Sequence, residues 1–185
     1  SDLGADNAVL VADEALAGSD ASATAYVLAE ALKGVQWDLV IFGVRSTDGE
    51  TGVVPGAVAE RLGVPLLSTL AKVEVEGSNI KVHRETEQGY VAYEVATPAV
   101  ISVIKGINEP RYPSMKGIMG AKKKPLDVKD AAALGLDTAQ VGLSGSKTRV
   151  LSAHTPEPRK AGVKIEDDGT GAKKIVEFLA SQKLV

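Results

Sequence analysis

Few residues of this chain of 185 are arranged in a way that could make or break covalent bonds. The two histidines, His83 and His154, are far apart in the sequence, and neither has a cluster of carboxylates beside it, which argues against a metal site. No Ser-His-Asp arrangement and no carboxylate pair suited to acid–base catalysis is recognisable. Because the chain has no cysteine, disulfides, thiol catalysis and cysteine-ligated metals or clusters are excluded. The chemistry that the residues do indicate is binding.

One segment has the composition of a phosphate-binding turn. Residues 43–52, Gly-Val-Arg-Ser-Thr-Asp-Gly-Glu-Thr-Gly, follow an apolar run and precede an amphipathic stretch. A glycine-rich turn from the carboxyl end of a parallel strand into a helix N-terminus is where such sheets bind phosphate groups. The N–H groups of Thr51, Gly52 and Val53 would then point at an anion. The segment matches neither the dinucleotide fingerprint nor the P-loop, so an ordinary loop whose helix is capped by Asp48 or Thr51 is the alternative.

A second segment, residues 108–125, has the character of a binding surface. Pro110 and Pro113 disfavour a helix before about Ser114, since proline fixes φ and removes a donor. Apolar residues then follow at helical spacing, with a lysine block after them: Met115, Ile118 and Met119, then Lys122 to Lys124. The flexible Met and Ile side chains, with charged residues beside them, form a tip that suits partners of different shape. A buried one-turn helix with a solvated lysine tail is the alternative.

Composition limits the class of protein. Hydrophobic residues make up 44% of the chain and charged residues 24%, which is ordinary for a globular domain. The net charge of −3 argues against a protein that mainly binds nucleic acid, so the lysine block is a local patch. No apolar run approaches the ~18 to 20 residues of a membrane span, and residues 1–20 show no signal peptide. We expect a cytoplasmic location.

The elements that position these segments are predicted from periodicity. The first half alternates buried strands with amphipathic helices, which predicts a parallel, doubly wound α/β sheet. The predicted strands are residues 7–12, 37–43 and 66–75, and the predicted helices are residues 21–33 and 53–62. From about residue 70 the pattern alternates apolar and polar residues, which predicts an antiparallel extension. Its strands are residues 71–76, 80–85 and 90–95, and an apolar strand follows at 99–104.

Past Lys124 the chain loses its dense hydrophobicity. We expect a short helix within 127–136, a loop at 142–146, an extended segment at 148–152 and an irregular arm at 154–162. An amphipathic helix is predicted at 172–183. The predicted domains are therefore a nucleotide-binding α/β domain, residues 1–125, that ends in the partner-binding loop 108–125, and a C-terminal arm and helix, residues 126–185. The arm has little core of its own, which indicates packing on another chain.

The segment from Asn108 to Pro125 resembles the signature of the β subunit of electron transfer flavoproteins, and the resemblance extends from about Gly4 to Val185. It implies an adenine-nucleotide α-hydrolase-like fold. In that family this loop recognises partner dehydrogenases, and one aliphatic side chain, commonly Leu, enters a pocket on the partner. The matching residue is Met115, which is close to leucine in volume. By the same resemblance, further partner-binding residues are Tyr112, Ile118, Met119, Lys122 and Lys123.

The resemblance also gives roles to two other places in the chain. Family members hold the phosphate of a buried AMP with the loop that matches Asp48, Gly49, Glu50, Thr51 and Gly52. They often carry a neutral side chain where this chain has Glu50. Glu85, next to Arg84 near a hairpin end, matches a glutamate that pairs with an arginine of the α subunit and restrains the mobile flavin domain. An exposed strand pair that contributes little is the alternative for Arg84 and Glu85.

The function that the resemblance implies is electron carriage and not catalysis. The β subunit would form a heterodimer with an α subunit that holds most of one FAD. The heterodimer would accept electrons from acyl-CoA dehydrogenases of fatty acid β-oxidation, or from related flavoenzymes, and pass them to a quinone oxidoreductase. Two alternatives stay open: a bifurcating subunit in which a second FAD replaces AMP, and a stand-alone nucleotide-binding module of the universal stress type.

Compared with a typical family member, the chain lacks roughly the first third. The first strand of the sheet and part of the nucleotide pocket are then expected to be missing. That segment was either cut off or lost; if the chain is truncated, we expect weak AMP binding and an exposed sheet edge that is prone to association.

Overall fold

A computed structural model describes residues 4–159, 162, 164 and 167–185. The chain divides into two compact units, Ser1–Arg149 and Val150–Val185. This division differs from the predicted boundary after Pro125, because residues 126–149 pack within the first unit. Of the described helices, none has the length and apolar character needed to cross a membrane.

The first unit alternates strands and helices and then adds a hairpin. Its strands are β1 (Ala8–Val11), β2 (Leu39–Gly43), β3 (Leu66–Glu76), β4 (Asn79–Thr86), β5 (Gly89–Ala96), β6 (Ala99–Val103) and β7 (Leu126–Lys129). Its α-helices are α1 (Ala21–Lys33), α2 (Val54–Leu62), α3 (Met115–Ala121) and α4 (Gly142–Gly145), with 3₁₀ turns at Glu14–Leu16 and Thr138–Gln140. The predicted α/β fold is confirmed.

The main sheet has the strand order β2-β6-β3-β4-β5. Strand β6 is parallel to both β2 and β3, whereas β3, β4 and β5 form an antiparallel meander. Since β6 lies between two parallel neighbours, it is apolar and buried along almost its whole length. The core of this sheet consists of Leu70, Ile80, Val82, Ala99 and Ile101. Strand β2 forms an open edge, and its Ile41 is exposed.

The alternation of strands and helices predicted that strand β1 would belong to the main sheet. Strand β1 does not join that sheet. It pairs in parallel with β7 in a separate two-stranded sheet, with Ala8 opposite Leu126 and Val11 opposite Lys129. The helix predicted within 127–136 was wrong, because Leu-Asp-Val-Lys alternates with the period of a strand and finds its partner in β1. Residues 142–146, predicted as a loop, contain the short helix α4, and residues 148–152 form no strand.

The two long helices of the first unit follow local sequence signals. Asp20 caps α1 by accepting hydrogen bonds from the N–H groups of Ser22 and Ala23, and Gly34 ends the helix. Helix α2 ends at Gly63, which has the left-handed φ of 69° that glycine adopts without strain. The two helices pack together, and the Arg61 guanidinium lies 5.3 Å from the centre of the Tyr26 ring.

The second unit contains α5 (Gly171–Ser181), which confirms the helix predicted near the C-terminus. Asp167 accepts hydrogen bonds from the N–H groups of Gly169 and Gly171 ahead of this helix. The apolar side chains of α5 include Ile175, Val176 and Phe178, and all three are exposed in the isolated chain. Of the predicted irregular arm, residues 154–159 and 162 have no regular secondary structure, and residues 160 and 161 lie outside the described part.

Candidate functional site

The glycine-rich segment leaves the carboxyl end of β2, as predicted. Gly43 is opposite Val103 at the end of the parallel ladder, and α2 begins at Val54. Between Gly43 and Val54, two residues with a left-handed backbone conformation turn the chain: Glu50 with φ of 48° and Gly52 with φ of 65°. A side chain is strained in this conformation, which accounts for glycine at the second position. Apart from half-buried Val44, the loop is exposed.

Helix α2 begins without the side-chain cap that the ordinary-loop alternative requires. Its N-cap residue, Val53, makes no such hydrogen bond. Asp48 is directed into its own loop, where it accepts hydrogen bonds from the Ser46 hydroxyl and from the Gly49 N–H, and these lower the pKa of its carboxyl group. Because the first N–H groups of an α-helix have no intrahelical acceptor, the start of α2 is open to an anion.

Two residues that sequence reasoning missed lie at the same edge of the sheet. The β3 ladder shifts between Leu67 and Leu70, and Thr69 takes a left-handed φ of 57°, which is rare for a β-branched residue. Its N–H donates to the Ser102 hydroxyl at 3.1 Å. Ser102 is only 3% exposed and stands next to Val103 at the end of β6. A lone serine in an otherwise apolar strand was the signal that could have found this pair.

The segment predicted to bind a partner, residues 108–125, contains the short, exposed helix α3. Ser114 caps α3 by accepting a hydrogen bond from the Gly117 N–H at 3.0 Å, so the helix begins where the prolines predicted. Met115 is 75% exposed and Tyr112 is 96% exposed. Ile118 and Met119 are exposed as well. The alternative of a buried one-turn helix is therefore wrong for this chain.

The lysine block after α3 divides into two parts. The Lys124 ammonium donates to the Ala5 carbonyl and lies 3.4 Å from the Asp6 carboxylate. Lys122 and Lys123 are exposed, and within the described ranges neither has an ion pair. Two cations are thus available beside the apolar tip.

Glu85 lies near the end of the β4–β5 hairpin. It is opposite Tyr90 in the antiparallel register and is exposed. In the part of the chain that the structure describes, no cation forms an ion pair with its carboxylate. Neighbouring Arg84 is on the opposite face of the strand, since side chains alternate. The two residues therefore do not form the exposed pair considered as the alternative.

The structure places the predicted residues on three separate elements: the loop before α2, the hairpin end at Glu85, and α3. It brings no group of three or more His, Cys, Asp or Glu together among the residues described. Each place has the features of a contact surface: open N–H groups, an exposed carboxylate, and an exposed apolar tip with two cations.

Comparison with known proteins adds independent information. The family model of the electron transfer flavoprotein domain matches residues 1–134. The chain is 47% identical over 185 residues to the electron transfer flavoprotein subunit beta of Mycobacterium tuberculosis, a match that covers 99% of this chain and 69% of the relative. It is 39% identical over 194 residues to the same subunit of Megasphaera elsdenii, covering 99% and 72%. It is 34% identical over 181 residues to the caffeyl-CoA reductase-Etf complex subunit CarD of Acetobacterium woodii, covering 97% and 68%.

Proposed function

Because this chain belongs to the electron transfer flavoprotein family as a β subunit, we propose that it pairs with an α subunit in a heterodimer that carries electrons between flavoenzymes. FAD, held mainly by the α chain, supplies the redox chemistry. The heterodimer accepts electrons from acyl-CoA dehydrogenases or related flavoenzymes and passes them to a quinone oxidoreductase. A cytoplasmic location stays a prediction. The observation that carries the proposal is the exposed apolar tip of α3 in a chain of this family.

The tip of α3 anchors the electron donor. Met115 enters an apolar pocket on the partner, and Tyr112, Ile118 and Met119 surround the contact. Truncating such a central, exposed apolar side chain typically removes a large share of the binding energy. Lys122 and Lys123 attract an acidic rim around the partner's pocket. This attraction mainly raises the association rate. The β chain makes no covalent bond in this process; it holds the partner flavin close enough for electron transfer.

The loop before α2 holds AMP as a structural ligand. Its fit is supported by the absence of a side-chain cap on α2 and by the left-handed Gly52, which lets backbone N–H groups approach a phosphate closely. Thr51 adds a hydroxyl donor, and Asp48 and Gly49 shape the turn. Glu50 contributes through its N–H alone, since its carboxylate would repel a phosphate.

Two surfaces serve the α subunit. Glu85 is exposed, and among the described residues no cation forms an ion pair with it, which suits pairing with an arginine of the flavin domain. The second unit exposes the apolar residues Ile175, Val176 and Phe178 along one short helix, and exposed apolar side chains of this kind favour contact with a partner. Residues 150–185 therefore pack on the α subunit.

The name of one relative supports a class of electron donor. The name of the Acetobacterium woodii protein places it in a complex with a caffeyl-CoA reductase. We extend this to a donor of the same chemical type, a flavoenzyme that acts on a CoA ester.

Co-purification with the candidate α subunit, followed by denaturing release of bound nucleotides, tests the proposal. One FAD and one AMP per heterodimer are expected. Two FAD and no AMP would move the chain to the bifurcating type. Failure to associate with any flavoprotein, with AMP or ATP bound to this chain alone, would favour a stand-alone nucleotide-binding module.

A further inference from the structure

A corner in the main sheet lies where strand β3 changes its neighbour. The first residues of β3 pair in parallel with β6, and its later residues pair antiparallel with β4. Leu70 is opposite Val103 of β6 and Arg84 of β4 at once. In these ladders, whose strands are described in full, Ser68 and Thr69 are opposite no residue. We name these two residues and Leu70 the Thr69 corner.

The corner contains two irregularities of the same strand. The register of β3 against β6 shifts between Leu67 and Leu70, and its register against β4 shifts between Leu70 and Lys72. In both shifts the extra residue is on β3. A bulge bends its strand, increases the local twist and changes the direction of nearby side chains. At this corner β3 therefore turns from the parallel part of the sheet into the antiparallel meander.

A buried serine holds the corner in a strained conformation. Thr69 has a left-handed φ of 57°, which costs free energy in a β-branched residue. Its N–H donates to the Ser102 hydroxyl at 3.1 Å, and Ser102 is only 3% exposed within β6. The Ile104 N–H donates to the Leu70 carbonyl at 3.0 Å. Strained backbone persists only where its surroundings fix it, and the Ser102 hydroxyl fixes Thr69 from the neighbouring strand.

The corner ends directly beside Glu85. The ladder between β3 and β4 finishes at Leu70 and Arg84, so Glu85 lies one residue beyond it and has Tyr90 of β5 as its cross-strand neighbour. If the ladder continued, a residue of β3 would lie opposite Glu85, and its side chain would stand beside the carboxylate. The corner thus leaves one side of Glu85 open. An arginine that donates two parallel hydrogen bonds to a carboxylate needs such an open side.

We infer that Ser102 is a positioning residue for Glu85: by holding Thr69, it keeps β3 away from the end of β4 and presents the Glu85 carboxylate to a cation of the partner. The inference rests on the proposed pairing of Glu85 with an arginine of the α subunit. All these residues belong to the first unit and to neighbouring strands of one sheet. A buried hydroxyl is therefore expected to change a contact with a partner that it does not itself touch.

The test is a double-mutant cycle on the full chain, with the dissociation constant for the α subunit as the readout. Glu85→Gln removes the charge, and we expect the constant to rise about fivefold, as for an exposed ion pair. Ser102→Ala removes the acceptor of the Thr69 N–H and should raise it about threefold. The double variant should show a rise of about fivefold and not of about fifteenfold, because Ser102 acts through Glu85.

Further variants separate the corner from general stability. The Thr69 N–H should exchange faster in folded Ser102→Ala, whereas Ser102→Thr keeps the hydroxyl and should restore most of the affinity. Ser19→Ala is the matched control, because the Ser19 hydroxyl also accepts from a distant N–H, that of Gly142 at 2.8 Å, in the turn before α1. It should change the affinity less than about twofold. If Ser102→Ala does not fold, Thr69→Pro takes its place in the cycle, since proline has no N–H and cannot adopt a positive φ.

The same rise from Ser102→Ala with and without the Glu85 charge would overturn the inference, because the serine would then act on stability in general. Unchanged affinity in Ser102→Ala, with Thr69 exchanging faster, would also overturn it, as would an equal loss in Ser19→Ala. If Glu85→Gln binds the α subunit as the original chain does, the proposed role of Glu85 fails and the inference fails with it. If the original chain binds no α subunit, the proposed function itself fails.

Discussion

Two segments leave the same edge of the main sheet, and each leads into a helix. One helix begins without a side-chain cap, and the other begins with one. Residues 44–53 follow β2, and residues 104–114 follow β6, from positions that are opposite each other in the ladder. The first leads to α2, whose N-terminus has no side-chain cap, and the second leads to α3, which Ser114 caps. An open N-terminus offers N–H groups to a ligand, whereas a capped one leaves its side chains as the binding feature. The comparison separates the proposed nucleotide-binding edge from the proposed protein-binding tip.

The largest effect is expected at the proposed protein-binding tip. Met115→Ala removes the side chain proposed to fill the partner's pocket, and truncating such an anchor costs about 2 kcal/mol or more. We expect kcat/KM for electron transfer from an acyl-CoA dehydrogenase to fall about 30-fold, since ~1.4 kcal/mol is a factor of about ten. Flavin content should stay unchanged.

Val75→Ala is the matched control for Met115→Ala. Val75 is an exposed apolar residue near the end of β3, outside the tip, and its truncation should leave transfer unchanged. Loss of flavin from Met115→Ala, with normal transfer per bound flavin, would show that Met115 supports the fold and does not anchor the donor.

The next effect tests the open start of α2. Val53→Asp places a carboxylate at the N-cap, where it can accept from the Gly56 N–H; Pro55, between them, has no N–H. The carboxylate would compete with a phosphate for this position and repel it. We expect AMP affinity, measured by calorimetry on the heterodimer, to fall about tenfold, the equivalent of ~1.4 kcal/mol, while thermal stability stays the same or rises.

Val53→Asn separates charge from capping at this position, because asparagine caps a helix about as well without a charge. It should weaken AMP binding less than Val53→Asp does. If both variants bind AMP as the original chain does, the phosphate does not lie at the start of α2.

A smaller effect is expected from the cap of α3. Ser114→Ala removes the hydrogen bond to the Gly117 N–H and costs about 1 kcal/mol of helix stability. Since α3 has only two turns, its tip should become less ordered, and electron transfer should slow by up to about fivefold without a change in AMP content. Ser114→Thr keeps a hydroxyl cap and should restore the rate. An unchanged rate in Ser114→Ala would mean that the donor itself orders the tip.

Local signals explain what the sequence could predict. The bounds of α1 and the start of α3 were confirmed, because Asp20, Gly34 and Ser114 are capping residues whose effect lies within a few positions. Strand β7 was missed because its partner, β1, lies more than one hundred residues away, and four residues are too few for a clear period. The position of the glycine-rich loop at the carboxyl end of β2 was predicted correctly from its glycines, whereas its role in binding a nucleotide stays a prediction. The strained Thr69 beside it did not, because its conformation depends on Ser102 in another strand.

The smallest effect is expected at the start of a third helix, α1, which is capped by the charged side chain of Asp20. The hydrogen bond from the Ala23 N–H, together with those from Lys147 and Thr148, lowers the pKa of Asp20 to about 2. An unfolded aspartate has a pKa of about 3.9, so the folded chain binds this proton more weakly. The hydrogen bonds to the Asp20 carboxylate therefore add stability that is complete above about pH 4 and is lost as the pH falls towards 2. After allowance for solvent screening, we expect less than about 1 kcal/mol.

Chemical denaturation at pH 5 and pH 3 measures this contribution, with Asp20→Asn as the reference. The difference in unfolding free energy between the original chain and the variant should shrink from pH 5 to pH 3, because only the original chain has the titrating carboxylate. A difference that is the same at both pH values would show that the charge of the Asp20 carboxylate does not strengthen these hydrogen bonds. Only the hydrogen-bond geometry would then hold residues 147 and 148, and the capped start of α1 would resemble that of α3, where an uncharged hydroxyl is sufficient.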